Sequence, residues 1–304
     1  MILLHQKMRK RWSILSRFDS VMLGDNPFFG VDHLSHERAR SRSEKYTTFD
    51  YTVDVIKCAH ELGMKEMVVG TRPRLGELID GIRKKSNLIE SINFNPVLPY
   101  AQEYVLKVSE KGLMRTMKEI LAGAGIQNEF KILTKGGLGF LKKDLTELFK
   151  VLIDVELLKL KDVKIKTVYL HPILTDLALA LNLKGIFETF ANHLHDKYKL
   201  EVGLSTKNFP ALVSKLAEWR LNIDDIMTSF NKAGFLMNPS LEECEKTLAN
   251  YKSGVTAMNI FGGGYYGLQE SYQYVLSLPN LRKVVVGAST VEHAKETFGL
   301  FNSK

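Results

Sequence analysis

The sequence predicts a single-domain (β/α)8 TIM barrel with an N-terminal extension, on three observations. Short apolar runs alternate with amphipathic helical stretches along the chain, the pattern of a parallel sheet wrapped by helices. The runs are apolar throughout, as strands buried on both faces must be. The length, 304 residues, accommodates one barrel of about 250 residues plus an extension.

The candidate strands, in order, are Val21–Gly24, Met67–Gly70, Ile92–Leu98, Lys131–Thr134, Thr167–Leu170, Leu200–Leu204, Ile226–Ser229, Val255–Ile260 and Lys283–Val286. That is nine, one more than a barrel of eight needs. One of the first three is therefore expected outside the barrel. Val21–Gly24 is assigned to a cap, together with the basic, irregular residues 1–45. Between the runs, Leu141, Leu145, Leu148 and Leu152 share a helical stripe, as do Leu212, Leu216 and Trp219. Ser240 with Glu243, and Ser289 with Glu292, have the spacing of capping boxes that open helices. No Pro-, Gly- or Ser-rich linker divides the chain, so residues 1–304 are read as one domain. An open doubly wound sheet is the runner-up, but no strand–GxGxxG–helix unit supports it.

Hydrophobic residues make up 45% and charged residues 25%, a globular composition that excludes disorder, collagen and coiled coil. Lysine and arginine exceed aspartate and glutamate by 42 to 34, a net charge of +8. That balance suits anionic or phosphorylated ligands. The two cysteines, Cys58 and Cys244, make neither a disulfide framework nor a CxxC knuckle. A reducing, cytoplasmic setting is expected. The apolar start Ile2–Leu4 is too short for a signal core, and no segment is apolar enough to span a bilayer.

A barrel binds its ligands at the C-terminal ends of its strands. The residues there are the candidates, although any strand end also turns polar merely on meeting solvent. They include Asp25 and Asn26, Arg72, Asn95, Tyr100, Lys135, His171, Ser205, Asn208, Asn231, Lys232, Asn259, Gly287 and Ser289. Asp25, Asn26, Arg72, Asn231 and Lys232 are assigned to the substrate. Lys135, between an apolar run and two glycines, can polarise a carbonyl, lower a neighbour's pKa or form a Schiff base. Tyr100 offers a phenol and His171 an imidazole to the same carbonyl oxygen. Gly287-Ala288-Ser289 leads into a helix and has the makings of an anion site. Gly262-Gly263-Gly264-Tyr265-Tyr266 is either a lid or a permissive turn. Asp32, His33 and His36 lack any HExxH companion, so no metal is assigned. The basic residues Lys7, Arg9, Lys10, Arg11, Arg38, Arg40 and Arg42 carry no RNA-binding signature and read as a solvated face.

From Lys131 to the end the chain resembles the aldo-keto reductase superfamily. The matching stretches are KILTKGG, VYLHP, VGLSTKNFPALVSKLAEW, TSFN, TAMNIFGGG and VVVGASTVEHAKETF. The resemblance implies NADP(H)-dependent reduction or oxidation of a small carbonyl or alcohol, with Asp, Tyr, Lys and His delivering the proton. It puts Lys135 and His171 on the family's lysine and histidine. Two registers compete for the rest. If Met67–Gly70 is the second strand, Gly70 replaces the aspartate and no tyrosine follows. If Ile92–Leu98 is second, Asn95 replaces it and Tyr100 falls on the tyrosine; this register is preferred, since it leaves Val21–Gly24 outside. The resemblance also implies a cofactor lying across Ser205, Asn208, Asn259, Gly287 and Ser289, with Glu296 on the adenine. Met258 stands where the family has an aromatic ring. Two alternatives stay open: a cofactor-free lyase or aldolase using Lys135 as an imine lysine, and a barrel that binds a ligand or nucleic acid without catalysis.

Overall fold

The computed structural model describes residues 18–30, 49–100, 109–110, 115 and 143–302. The strands among them are β1 (Ser20–Gly24), β2 (Glu66–Gly70), β3 (Asn93–Leu98), β4 (Lys164–Ile165), β5 (Thr167–Leu170), β6 (Glu201–Thr206), β7 (Asp225–Ser229), β8 (Gly254–Met258) and β9 (Lys283–Val286). Every pairing is parallel. Successive neighbours run from β1 through β2, β3, β5, β6, β7, β8 and β9 back to β1, closing an eight-stranded barrel. The two-residue β4 pairs with the start of β3 and leads into β5.

The described helices are α1 (Asp50–Glu61), α2 (Leu75–Lys85), α3 (Lys143–Leu158), α4 (Pro172–Ala180), α5 (Lys184–His193), α6 (Phe209–Trp219), α7 (Leu241–Asn250), α8 (Leu268–Ser277) and α9 (Val291–Phe301). Their apolar faces and the outward faces of the strands make the main core. None is long and apolar enough to cross a membrane. Cys58 on α1 and Cys244 on α7 are buried thiols.

The structure corrects the strand assignment. Val21–Gly24 is not in a cap: β1 pairs with β2 at Leu23↔Met67 and with β9 at Leu23↔Val286. Val21, Met22 and Leu23 are all buried. An apolar run of this kind is accommodated where both its edges are hydrogen-bonded and both its faces covered. Met67–Gly70 is therefore the second barrel strand and Ile92–Leu98 supplies the third, so the preferred register does not hold. β3 pairs directly with β5, at Val97↔Tyr169 and Leu98↔Leu170. The remaining candidate, Lys131–Thr134, lies outside the described residues.

Local signals fare variously. Leu212 and Leu216 are buried on α6, with Trp219 packed against the core. On α3 the buried stripe is Phe149, Ile153 and Leu157, one residue round from the leucine stripe read in the sequence. Ser240 caps α7 by accepting from the Glu243 amide at 3.2 Å. At α9 the cap is Thr290, accepting from His293 N at 3.1 Å, rather than Ser289.

Inside the barrel, Met22, Val68, Tyr169 and Met227 pack together. Below them the N-terminal strand ends carry a polar plug. Asp225 Oδ2 accepts from the Tyr169 hydroxyl (2.9 Å), the Thr256 hydroxyl (2.8 Å) and Lys283 Nζ (2.9 Å). Glu66 pairs with Lys166 at 2.9 Å. Buried charges need such partners, and these seal the bottom so that the open end is the C-terminal one.

Candidate active site

A cavity of about 730 Å³ occupies the C-terminal mouth. Because all the barrel strands run the same way, every one of their C-terminal ends opens here.

On one side stands a cluster built around Arg72, which follows β2. Asp25, just past β1, accepts from Gly70 N at 2.8 Å and lies 3.5 Å from Arg72 Nη2. Arg72 also donates to Asn26 Oδ1. Its guanidinium lies over the rings of Phe29 (5.0 Å) and Tyr100 (5.5 Å). Burial pushes the Asp25 carboxyl up, against the opposing pull of Arg72 and the Gly70 amide. Gly70 has a local reason: a Cβ there would meet Arg72 Nε at 2.9 Å.

Tyr100 follows β3 and lines the cavity. Its amide donates to Glu156 Oε2 at 3.4 Å. Glu156 is fully buried on α3, accepts from the Thr71 hydroxyl and pairs with Lys159 at 2.9 Å. One carboxylate thus ties the ends of β2 and β3 together, holding Tyr100 beside Arg72.

His171 follows β5 and caps α4, its Nδ1 accepting from Ile173 N at 3.3 Å. That bond leaves the ring proton on Nε2. Burial, with the nearby charges of Lys207 and Arg72, pushes its pKa down to about 4. At neutral pH it is an uncharged imidazole with one N–H to donate.

The opposite half of the mouth is polar and contributes no strand-end cation to the lining. Ser205 Oγ is buried with no hydrogen-bond partner among the described residues. Asn259, at a left-handed φ of 54°, donates to Ser229 Oγ at 2.9 Å. Gly287 allows β9 close to β1: a Cβ would come 3.1 Å from Pro27 Cγ. Ser289 Oγ lies 3.0 Å from His293 Nδ1. Glu296 and Met258 also line the wall.

Asp25, Asn26, Arg72, Tyr100, His171, Ser205, Asn259, Gly287, Ser289 and Glu296 therefore share one cavity. Four other candidates do not line it. Asn95 is buried among the polar groups near the barrel floor, donating to Glu66 Oε2 (3.2 Å) and accepting from Thr167 N (3.1 Å). Asn231 staples its own loop through Phe235, with bonds of 2.9 and 2.8 Å. Lys232 is exposed and pairs with Glu270 at 2.6 Å. Asn208 precedes α6, its buried Oδ1 unpartnered. Lys135 lies outside the described residues, as do Asp32, His33, His36 and the basic N-terminal positions. Among the described residues no group of His, Cys, Asp and Glu is arranged to hold a metal ion.

Two residues were missed by sequence reasoning. Lys207 lines the cavity; its place after the sixth strand run was a usable signal. Glu156 gave none, since a glutamate three residues before a lysine on a helix reads as a surface pair.

No protein-family model matches the chain, and no curated protein matches it either. Solved structures do. One, from Pseudomona aeruginosa and classed as an aldo-keto reductase, superposes with a TM-score of 0.59 at 14% identity, covering 94% of this chain and 90% of that one. A thermostable aldo-keto reductase in complex with the inhibitor epalrestat gives 0.55 at 12%, covering 93% and 90%. An aldo-keto reductase from a Medee basin deep-sea metagenome library gives 0.53 at 12%, covering 92% and 85%. At these identities the likeness is one of architecture, and the architecture it establishes is an aldo-keto-reductase-like (β/α)8 barrel.

Proposed function

We propose that this barrel is an oxidoreductase that interconverts a small carbonyl compound and its alcohol with NADP(H). The observation that carries the proposal is the convergence on one cavity of Tyr100, an uncharged His171 and the Arg72 cation, facing a polar half that contributes no strand-end cation. The residues fit the cofactor. Ser205 lines the cavity, and Gly287 and Ser289 line it just ahead of α9, where an anionic group would meet a helix start. Asn259 and Glu296 complete that half. Met258 supplies packing where a stacking ring would otherwise stand.

When bound, NADPH supplies the hydride for the carbonyl carbon. The Tyr100 hydroxyl donates its proton to the carbonyl oxygen as that carbon is reduced, and later regains one from solvent. His171 Nε2–H donates to the same oxygen and orients it. The Arg72 guanidinium lies over the Tyr100 ring and helps to hold it beside the carbonyl. The sequence resemblance assigns Lys135 to assisting the same proton transfer. Asp25 and Asn26 hold Arg72 in place.

Titration of the protein with NADPH, followed by nucleotide fluorescence, tests the proposal, with saturable binding in the micromolar range expected. Tyr100→Phe is expected to keep that binding and to lose about 100-fold or more of the reduction rate. No binding at millimolar nucleotide would overturn the oxidoreductase assignment.

A further inference from the structure

We infer that the substrate of this cavity carries a carboxylate, held between Arg72 and Lys207 next to the carbonyl being reduced. The inference deepens the oxidoreductase assignment and rests on it for the reaction, although the anion site itself does not.

The charges in the mouth are segregated by strand order. In the closed barrel β2, β3, β5 and β6 are successive neighbours. Arg72, Tyr100, His171 and Lys207 follow those four strands in turn, and all four line the cavity. The adjoining half, from β7 round to β1, contributes no cation from a strand end; its lining consists of groups such as Asn259, Gly287 and Asn26. The cationic arc is thus the arc that holds the proposed proton donors.

The counter-charge in that arc falls short. Asp25 serves Arg72, 3.5 Å away, and is itself 95% buried, with a relative exposure of 5%. Glu296, the cavity's other carboxylate, is on α9, in the opposite half. The Lys207 ammonium enters no ion pair among the described residues; the Asp176 carboxylate, which accepts from the Lys207 backbone N–H at 3.1 Å, feels its charge without pairing with it. A partly buried cation outside any ion pair is what an incoming anion completes. Both cations also bear on His171, which places them on the side where the carbonyl oxygen would sit. Arg72 lies close against Tyr100. A substrate that engages these cations and the proton donors together carries its carboxylate next to its carbonyl, as in a 2-oxo acid. The nucleotide phosphates have their own candidate place across the mouth, at Ser289 and His293.

The test uses the full-length protein with pyruvate and 2-oxobutyrate against their methyl esters. Binding is read by calorimetry with and without saturating NADP+, and reduction by NADPH consumption. The acids are expected to bind and to be reduced with lower KM than the esters. Lys207→Met is expected to raise KM and Kd for the acids by roughly 10- to 100-fold, well beyond any change for the esters, with NADPH affinity retained. Lys207→Arg is expected to restore most of the loss. Arg72→Met is the second variant, with its fold checked by circular dichroism, since it strips Asp25 of its partner. Acid binding that persists when NADPH does not bind would leave the carboxylate site standing and sink the reductase assignment. Equal KM for acids and esters would overturn the carboxylate site. So would a Lys207→Met protein that loses NADPH affinity alone, which would give the cation pair to the nucleotide phosphates. Absence of acid binding in both conditions overturns it as well.

Discussion

At the scale of single residues, the site works by fixing protonation states. His171 is held uncharged by burial and by two neighbouring cations, and its Nδ1 is committed to the Ile173 amide. The unfolded imidazole takes up a proton below about 6.5, whereas the folded one does so only near 4. Falling pH across that window therefore favours the unfolded chain, because the unfolded state binds more protons there. An NMR titration is expected to find the His171 imidazole still neutral at pH 5, and His171→Gln is expected to flatten the acid limb of the stability profile between those values. A midpoint near 6.5 would show that the ring is neither desolvated nor facing Arg72 and Lys207. The same logic separates the cavity polar groups from the structural ones. Ser205 lines the cavity and its buried Oγ meets no hydrogen-bond partner among the described residues, while Asn95 and Asn231 are already satisfied by the protein. Residue type at a strand end could not distinguish these cases, since an asparagine aimed at a ligand and one bonded to a neighbouring strand look alike in a sequence.

At the scale of elements, close approach of strands explains two positions. Gly203 on β6 leaves space for the Tyr169 ring: a Cβ there would lie 2.2 Å from Tyr169 Cδ1. That ring in turn reaches Asp225 across the floor. Gly203→Ala is expected to cost about 1–3 kcal/mol or more in urea unfolding, because the ring cannot move without breaking its hydrogen bond. A neutral result would mean the interior is looser than this packing. Lys283 is the second case. Burial pulls its pKa down, but the adjacent Asp225 more than compensates and keeps it charged. Removing that cation, as in Lys283→Met, leaves Asp225 fully buried with one partner fewer. A loss of about 3–5 kcal/mol is expected, with Lys283→Arg losing less. The helices show how much of an element is legible locally. The start of α7 was readable from Ser240 and Glu243, while α9 begins one residue later than its Ser289–Glu292 spacing suggested. At α9 Ser and Thr stand side by side, either hydroxyl can cap, and only the path out of β9 selects Thr290.

At the scale of the whole molecule, closure is the decisive event. β1 is held on both edges, by β2 and β9, so the first described strand is stitched to the last. Hydrogen exchange tests this directly. The β1 amides of Met22 and Leu23 are expected to exchange as slowly as those of β9, through global unfolding alone. Fast exchange confined to β1 would return it to the role of a cap. Closure also creates the site, because Asp25 from the first strand end meets Arg72 from the second while Gly287 from the last packs on Pro27. Residues from opposite ends of the chain become walls of one cavity.

The sequence by itself determined the architecture. Apolar runs alternating with amphipathic helices leave few ways to bury both faces of so many strands, and a closed parallel barrel is the one that also leaves no edge. It likewise placed the chemistry at the strand ends, since polar residues such as Asp25, Arg72, Tyr100 and His171 follow the apolar runs directly. Only the tertiary structure decided which runs are neighbours. Nine short, mainly apolar runs compete for eight places, and composition does not say which are neighbours; pairing round the closed ring does. From that choice came the register of Gly70 and Asn95, the burial of Asn95 below the cavity, and the meeting of Arg72, His171 and Lys207 on one arc. Charge segregation of that kind is a property of strand order in space, and strand order exists only once the ring has closed.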